Sequence, residues 1–285
     1  MDAALAILPG DQQRAAQTAQ LATTPSVRTL NVGMSGSITG ELVGADLTGD
    51  GDTEVLFPTS AGLYILSGSD VILHIPTSSA VTGIALVDDL SGNEAPEVVL
   101  VVGDVFFPNV RAYDTATGEK LWDYVPAQEV FIDNLMWTEQ QTQTYDLEAV
   151  DLNSDEILDI AVTSGYLVHA IDGRSGDRLW TFEALDNVWK VVAAPDIDGD
   201  GVADLVVGGQ DGVLRALSGS DGTRLWERKL VGSYAPLDEE GERKQSVDRS
   251  VFDILPVDNG SDRAAIVTAE DGTARLIDLD DGTVV

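Results

Sequence analysis

The chain of 285 residues carries 49 acidic and 16 basic side chains, a net charge of -33 at neutral pH, and no cysteine. This balance excludes nucleic acid and anionic membrane surfaces as partners, because both are held through clustered Lys and Arg. The missing cysteines remove disulfides, thiol catalysis and thiolate metal sites, and no stretch approaches the ~18 consecutive apolar residues of a membrane-spanning helix.

Residues 1–25 are rich in Ala and Gln, with Asp11 placed as a helix cap after Pro9, and are expected to form a short helix or a loose tail. The opening MDAALAILPGDQQ lacks the basic residues of a signal peptide, so Met1 is expected to replace a removed export signal. From residue 26 to 285 two signatures alternate. The first is acidic: ADLTGDGDTEVLF from Ala45, DDLSGNEAPEVVL from Asp88, VDLNSDEILDIAV from Val150 and PDIDGDGVADLVV from Pro195, with a degenerate copy from Pro256. Each is a polar loop running into a β-branched apolar segment. The second follows it: LYILSGSD from Leu63, VRAYDTATGEKLW from Val110, VHAIDGRSGDRLW from Val168, LRALSGSDGTRLW from Leu214 and ARLIDLDDGTVV from Ala274. Alternating residues before an Asp/Ser-Gly turn describe a hairpin with one buried face.

Together the signatures give one four-stranded antiparallel sheet per about 45 to 60 residues, which is the unit of a β-propeller. The predicted fold is all-β with about five blades, either a closed five-bladed ring or a segment of a larger propeller. Trp122, Trp180 and Trp226 occupy one position in three blades and are predicted to pack between neighbouring sheets. Insertions at 127–146 and 231–250 join a last strand to the next first strand. They should emerge on the face opposite the acidic loops.

The loop from Asp196 has the spacing D-x-D-x-D-G-x-x-D, which lets Asp196, Asp198, Asp200 and Asp204 and the carbonyl of Val202 converge on one point. Six to eight hard oxygen ligands suit calcium, whereas zinc favours nitrogen or sulfur. The first loop offers Asp46, Thr48, Asp50, Asp52 (through its carbonyl) and Glu54. The third offers Asp151, Asn153, Asp155, Ile157 (through its carbonyl) and Asp159. The second offers only two charges among Asp89, Ser91, Asn93 and Glu97. Three or four Ca2+ sites are expected, with affinity falling from the fourth loop through the first and third to the second. An EF-hand is excluded, because its bidentate Glu is replaced by Val207, Phe57 or Val162 and strands flank the loops.

With these residues in view, the chain resembles the FG-GAP repeats of integrin α-subunit-type propellers, whose blades carry such a calcium loop between first and second strands. Through AYDTATGEKLW and AIDGRSGDRLW it also resembles quinoprotein-type propellers. The resemblance implies architecture more firmly than activity. The reading drawn from it is a non-catalytic recognition, adhesion or assembly scaffold that is extracellular, cell-surface or periplasmic. Its expected partner is a protein or glycan on the face opposite the calcium loops, or a second copy of the chain. Trp137, Tyr145, Tyr234, Asp133 and Glu139 are carried by the insertions. The alternative is a propeller enzyme, either a calcium-dependent polysaccharide lyase or a quinoprotein-like dehydrogenase. Against it stand the lack of a vicinal cysteine pair and the presence of only two histidines, His74 and His169, both in strand-like segments. Few lysines (Lys120, Lys190, Lys229 and Lys244) beside many aspartates also suggest a saline habitat.

Overall fold

The computed structural model describes residues 33–103, 108–132, 135–141, 144–230, 250–257 and 263–285. The expected N-terminal helix or tail and nearly all of the second insertion lie outside them. The described residues are all-β and form five successive antiparallel sheets and one two-stranded hairpin. The first contains β1 (Val43–Ala45), β2 (Glu54–Thr59), β3 (Gly62–Ser67) and β4 (Asp70–Pro76). The second contains β5 (Val81–Val87), β6 (Glu97–Val102), β7 (Asn109–Tyr113) and β8 (Lys120–Tyr124). A two-stranded hairpin, β9 (Ala127–Ile132) and β10 (Leu135–Gln141), precedes the third sheet of β11 (Thr144–Val150), β12 (Asp159–Ser164), β13 (Leu167–Ile171) and β14 (Arg178–Glu183). The fourth holds β15 (Val188–Ala194), β16 (Asp204–Gly209), β17 (Val213–Leu217) and β18 (Arg224–Lys229), and the fifth holds β19 (Val251–Val257), β20 (Ala264–Ala269) and β21 (Ala274–Asp278). Within each sheet the strands pair in sequence order. An isolated bridge between Ile277 and Val284 sets the last residues beside β21, where the other blades have a fourth strand.

Burial changes across each blade in a way that explains the sequence pattern. Second strands such as EVVLVV in β6 and DIAVTS in β12 are buried at every position, because neighbouring blades cover both faces of the sheet. The first strands of consecutive blades are neighbours in space: β5 contacts β11, β11 contacts β15 and β15 contacts β19. Outer strands are mostly exposed, and in β8, β14 and β18 the residue kept from solvent is the tryptophan of the Leu-Trp pair.

Each of these tryptophans reaches the next blade. Trp122 Nε1 donates to the Gly173 carbonyl at 2.8 Å, Trp180 Nε1 to Gly219 at 2.6 Å and Trp226 Nε1 to Leu279 at 2.9 Å. The indole lies against the glycine of the hairpin turn. At Gly222, where φ is 75°, an added Cβ would sit 2.5 Å from the Trp180 ring. Leu73 fills the equivalent place in the first blade and faces Gly118. Replacing a buried tryptophan by alanine typically costs about 3–5 kcal/mol. Both Trp180→Ala and Gly222→Ala are therefore expected to lower the urea midpoint, the glycine variant through combined strain and collision, whereas Gly199→Ala, with open space around its Cβ, should show the cost of a positive φ alone.

Candidate metal loops and channel mouth

Four acidic loops adopt one backbone form. Positive φ recurs at their fourth and sixth positions: Gly49 and Gly51, Gly92 and Glu94, Ser154 and Glu156, Gly199 and Gly201. The first carboxylate of each loop imposes this form by accepting backbone N–H groups. Asp46 accepts from Gly49 and Gly51, Asp89 from Gly92, Asn93 and Glu94, Asp151 from Asn153, Ser154 and Glu156, and Asp196 from Gly199 and Gly201. The third-position side chain then caps the loop in two copies through Asn153 and Asp198, and the fifth does so in all four through Asp50, Asn93, Asp155 and Asp200. Thr48 and Asp52 are exposed, as are Ser91 and Asn93. Ile157 and Val202 are half-buried and give their N–H groups to the preceding Asp155 and Asp200.

The last carboxylate opens the second strand and is buried in every copy: Glu54, Glu97, Asp159 and Asp204. It accepts the N–H of Leu47, Leu90, Leu152 or Ile197 across the loop. In the third and fourth blades it also accepts from the hairpin, Gly173 to Asp159 at 2.9 Å and Gly219 to Asp204 at 3.0 Å. Among the described residues, the group of carboxylates that converges is Asp196, Asp198 and Asp204, with one oxygen of each lying within 4.8 Å of the others. Asp200 stands outside this group. Burial raises Asp204, and Asp198 adds to the shift; burial likewise pushes Asp159 up to about 6, with Asp172 and Asp155 contributing. Three hard oxygen donors suit a divalent calcium-like cation, which would relieve that repulsion, while Arg263 donates to the Asp196 carbonyl at 3.1 Å beside them. Glu54 Oε1 fits the same chemistry, being buried without a hydrogen-bond partner.

Sequence spacing missed a second layer. Asn93 Nδ2 donates to Asp114 at 3.0 Å, and Asn153 Nδ2 lies 3.3 Å from Asp172. Both aspartates belong to the hairpin signature, where YD and ID precede the turn.

At the other end of the first strands a bulge recurs. Pairing slips between Val81 and Gly83, Thr144 and Asp146, Val188 and Lys190, and Val251 and Asp253, so Thr82, Tyr145, Trp189 and Phe252 are the bulged residues. Tyr145 and Asp146 thus belong to β11 and not to the insertion, because the strand begins at Thr144. The rings of Tyr145 and Trp189 are 6.5 Å apart, and Trp189 stacks on Phe252 at 5.9 Å and 9°. Beside them Lys190 pairs with Asp146 at 3.6 Å and Asp253 at 3.5 Å. Burial raises Asp146 and Glu148; it pulls Lys190 down, but the two aspartates hold it above its ordinary value. A cavity of about 310 Å3 is lined by Gly40 and Gly83 together with Glu41, Tyr145, Asp146 and Lys190. Of the other insertion residues, Trp137 and Glu139 lie in β10, while Asp133 and Tyr234 fall outside the described residues.

Both histidines have structural partners. His74 stacks on Tyr64 at 4.0 Å, and buried His169 contacts Tyr124 Oη through Nδ1 at 3.0 Å, its pKa brought down to about 4 by burial and then Arg178.

Residues 108–285 match the family described as outer membrane protein assembly factor BamB. The chain belongs to this PQQ-like propeller family. A 1-butanol dehydrogenase (cytochrome c) from Thauera butanivorans is 31% identical over 118 residues, 38% of this chain and 17% of that protein. The chain therefore spans about a sixth of the length of this curated relative. BamB from Moraxella catarrhalis shares the fold at TM-score 0.52 and 15% identity, covering 86% of this chain and 65% of that one. Chaetomium thermophilum Sqt1, solved bound to the N-terminus of ribosomal protein L10, does so at 0.53 and 14%, over 79% and 55%.

The expectation of a chain without enzymatic function does not stand. A dehydrogenase shares this segment, so the missing cysteine pair and scarce histidines do not set catalysis aside. The family name points to a pyrroloquinoline quinone, but the described cavity does not fit a quinone bearing three carboxylates, because its walls offer Glu41 and Asp146 against the single cation Lys190. The likeness to FG-GAP repeats rests on the loop residues alone.

Asp159 supplies a pH test in metal-free protein. Its folded value of about 6 lies above the ordinary 3.8, so its contribution to stability is fully present below about pH 4 and is lost as pH rises through 6. The stability of Asp159→Asn relative to the parent is expected to increase between pH 4 and 7 in chelator, as read from urea midpoints. A pH-independent difference would contradict the shift.

Proposed function

We propose that the chain is a calcium-braced propeller of the cell envelope that recognises a protein partner at the mouth opposite its acidic loops. One observation carries this reading: the bulged residues Tyr145, Trp189 and Phe252 form a contiguous aromatic ladder across three blades, with Phe252 49% exposed. Aromatic side chains supply large contact area at small entropic cost and are enriched at recognition surfaces. Leu185, in the connection leading to β15, is 91% exposed. The family's description as an assembly factor and the protein-bound propeller of Sqt1 support a docking role and, for the former, a periplasmic or outer-membrane setting. Calcium at the opposite face would brace the loops, with Asp196, Asp198 and Asp204 forming the tightest site and the first, third and second loops following in order of charge.

Two measurements check the reading. Native mass spectrometry should count three or four Ca2+ per chain, fall by one in Asp196→Asn, and accompany a lower melting temperature in chelator; a protein that carries no calcium would remove the metal half of the proposal. A photoreactive phenylalanine at position 252 should give a discrete protein adduct in envelope extracts of the source organism, whereas the same group at position 50, in an acidic loop, should not. Equal labelling from both positions would remove the docking half.

A further inference from the structure

Resting on that docking reading, we infer that the channel mouth takes an extended segment of its partner carrying an arginine or lysine next to an apolar residue. Two adjoining surfaces of opposite character require two such side chains. The cavity beside Gly40 and Gly83 is acidic, with Glu41 and Asp146 in its wall and Glu148 two residues further along β11. Its single basic group, Lys190, is already divided between Asp146 and Asp253, so an entering cation finds uncompensated carboxylate oxygens. The cavity wall also contains the Thr144 hydroxyl, buried and without a hydrogen-bond partner among the described residues. That atom can accept an N–H from a guanidinium or ammonium group.

Tyr145 joins the two surfaces, because it lines the cavity and its ring lies 6.5 Å from that of Trp189. A guanidinium at this junction gains charge-assisted hydrogen bonds from the acids and a cation–π contact from the tyrosine face. The next apolar side chain would lie on the ladder of Trp189 and Phe252, near the exposed Leu255 of β19. The net charge of -33 brings a cationic segment to this surface from a distance. A polyanion would be repelled.

The test uses the full chain and two capped heptapeptides that are identical except at one position, where arginine is replaced by its neutral isostere citrulline; each carries a leucine next to that position. Calorimetry and Trp189-sensitive fluorescence at low salt should show the arginine peptide binding at least about tenfold more tightly than the citrulline peptide. Asp146→Asn should erase most of that difference, and Phe252→Ala should weaken both peptides. Asp177→Asn, exposed in the hairpin turn beside the third acidic loop, should change neither. Asp253→Asn serves as a second acidic variant should Asp146→Asn unfold, with circular dichroism checking the fold of each. Equal affinity for the two peptides, or a difference that survives both acidic variants, overturns the inference. If position 252 still yields a protein adduct under that outcome, docking at the mouth stands and only the cationic occupant falls; if both experiments fail, both readings fall.

Discussion

The contact between an outer-strand indole and the hairpin turn of the next blade is the constraint on which the rest of the structure depends. A single four-stranded sheet cannot cover its own two apolar faces, so β2, β6, β12, β16 and β20 stay out of water only if the sheets are held face to face. Trp122, Trp180 and Trp226 do this by coupling a large apolar ring to one directed hydrogen bond. The ring supplies burial and the Nε1 donor fixes the angle of approach. The glycines opposite them satisfy two demands at once, a positive φ and the absence of a side chain where the ring arrives. These demands explain why the Gly turn and the Leu-Trp pair recur together.

With the sheets held, the acidic loops have little freedom left. Their shape is set by one aspartate that accepts two or three backbone N–H groups, and it survives in the third loop although Ser154 and Glu156 occupy positive-φ positions at φ 62° and 67°. Such residues cost roughly 1–2 kcal/mol each in that region. The hydrogen bonds to Asp151 offset the cost. The unfavourable feature that remains is electrostatic, because buried carboxylates such as Asp159 and Asp204 are raised by burial and by like charges beside them. These raised carboxylates are the groups that the proposed cation would neutralise.

The mouth of the channel follows from a different irregularity. A bulge at the second residue of four first strands turns one side chain per blade out of the regular alternation. Three of these residues are aromatic: Trp189 stacks on Phe252, and Tyr145 meets Trp189 at a tilt. The residues that follow the bulge, Asp146, Lys190 and Asp253, carry alternating charge from blade to blade, and at Gly83 the side chain is absent. An aromatic strip and an acidic recess are consequently set side by side.

Local regularities determined much of this protein in advance. The alternation of acidic loop and Gly-turn hairpin specifies a four-stranded blade, the repeat of that unit specifies a propeller, and the carboxylate spacing specifies where hard cations could bind, because each property depends on residues a few positions apart. The interblade role of the tryptophans was legible for the same reason, being repeated in register. Tertiary structure alone decided that Asp196, Asp198 and Asp204 converge while Asp200 instead caps Val202, since side-chain direction is not encoded in spacing. It also decided the channel mouth. Tyr145, Trp189 and Phe252 lie far apart in sequence and occupy strands with no shared motif, and only the packing of consecutive blades makes them neighbours.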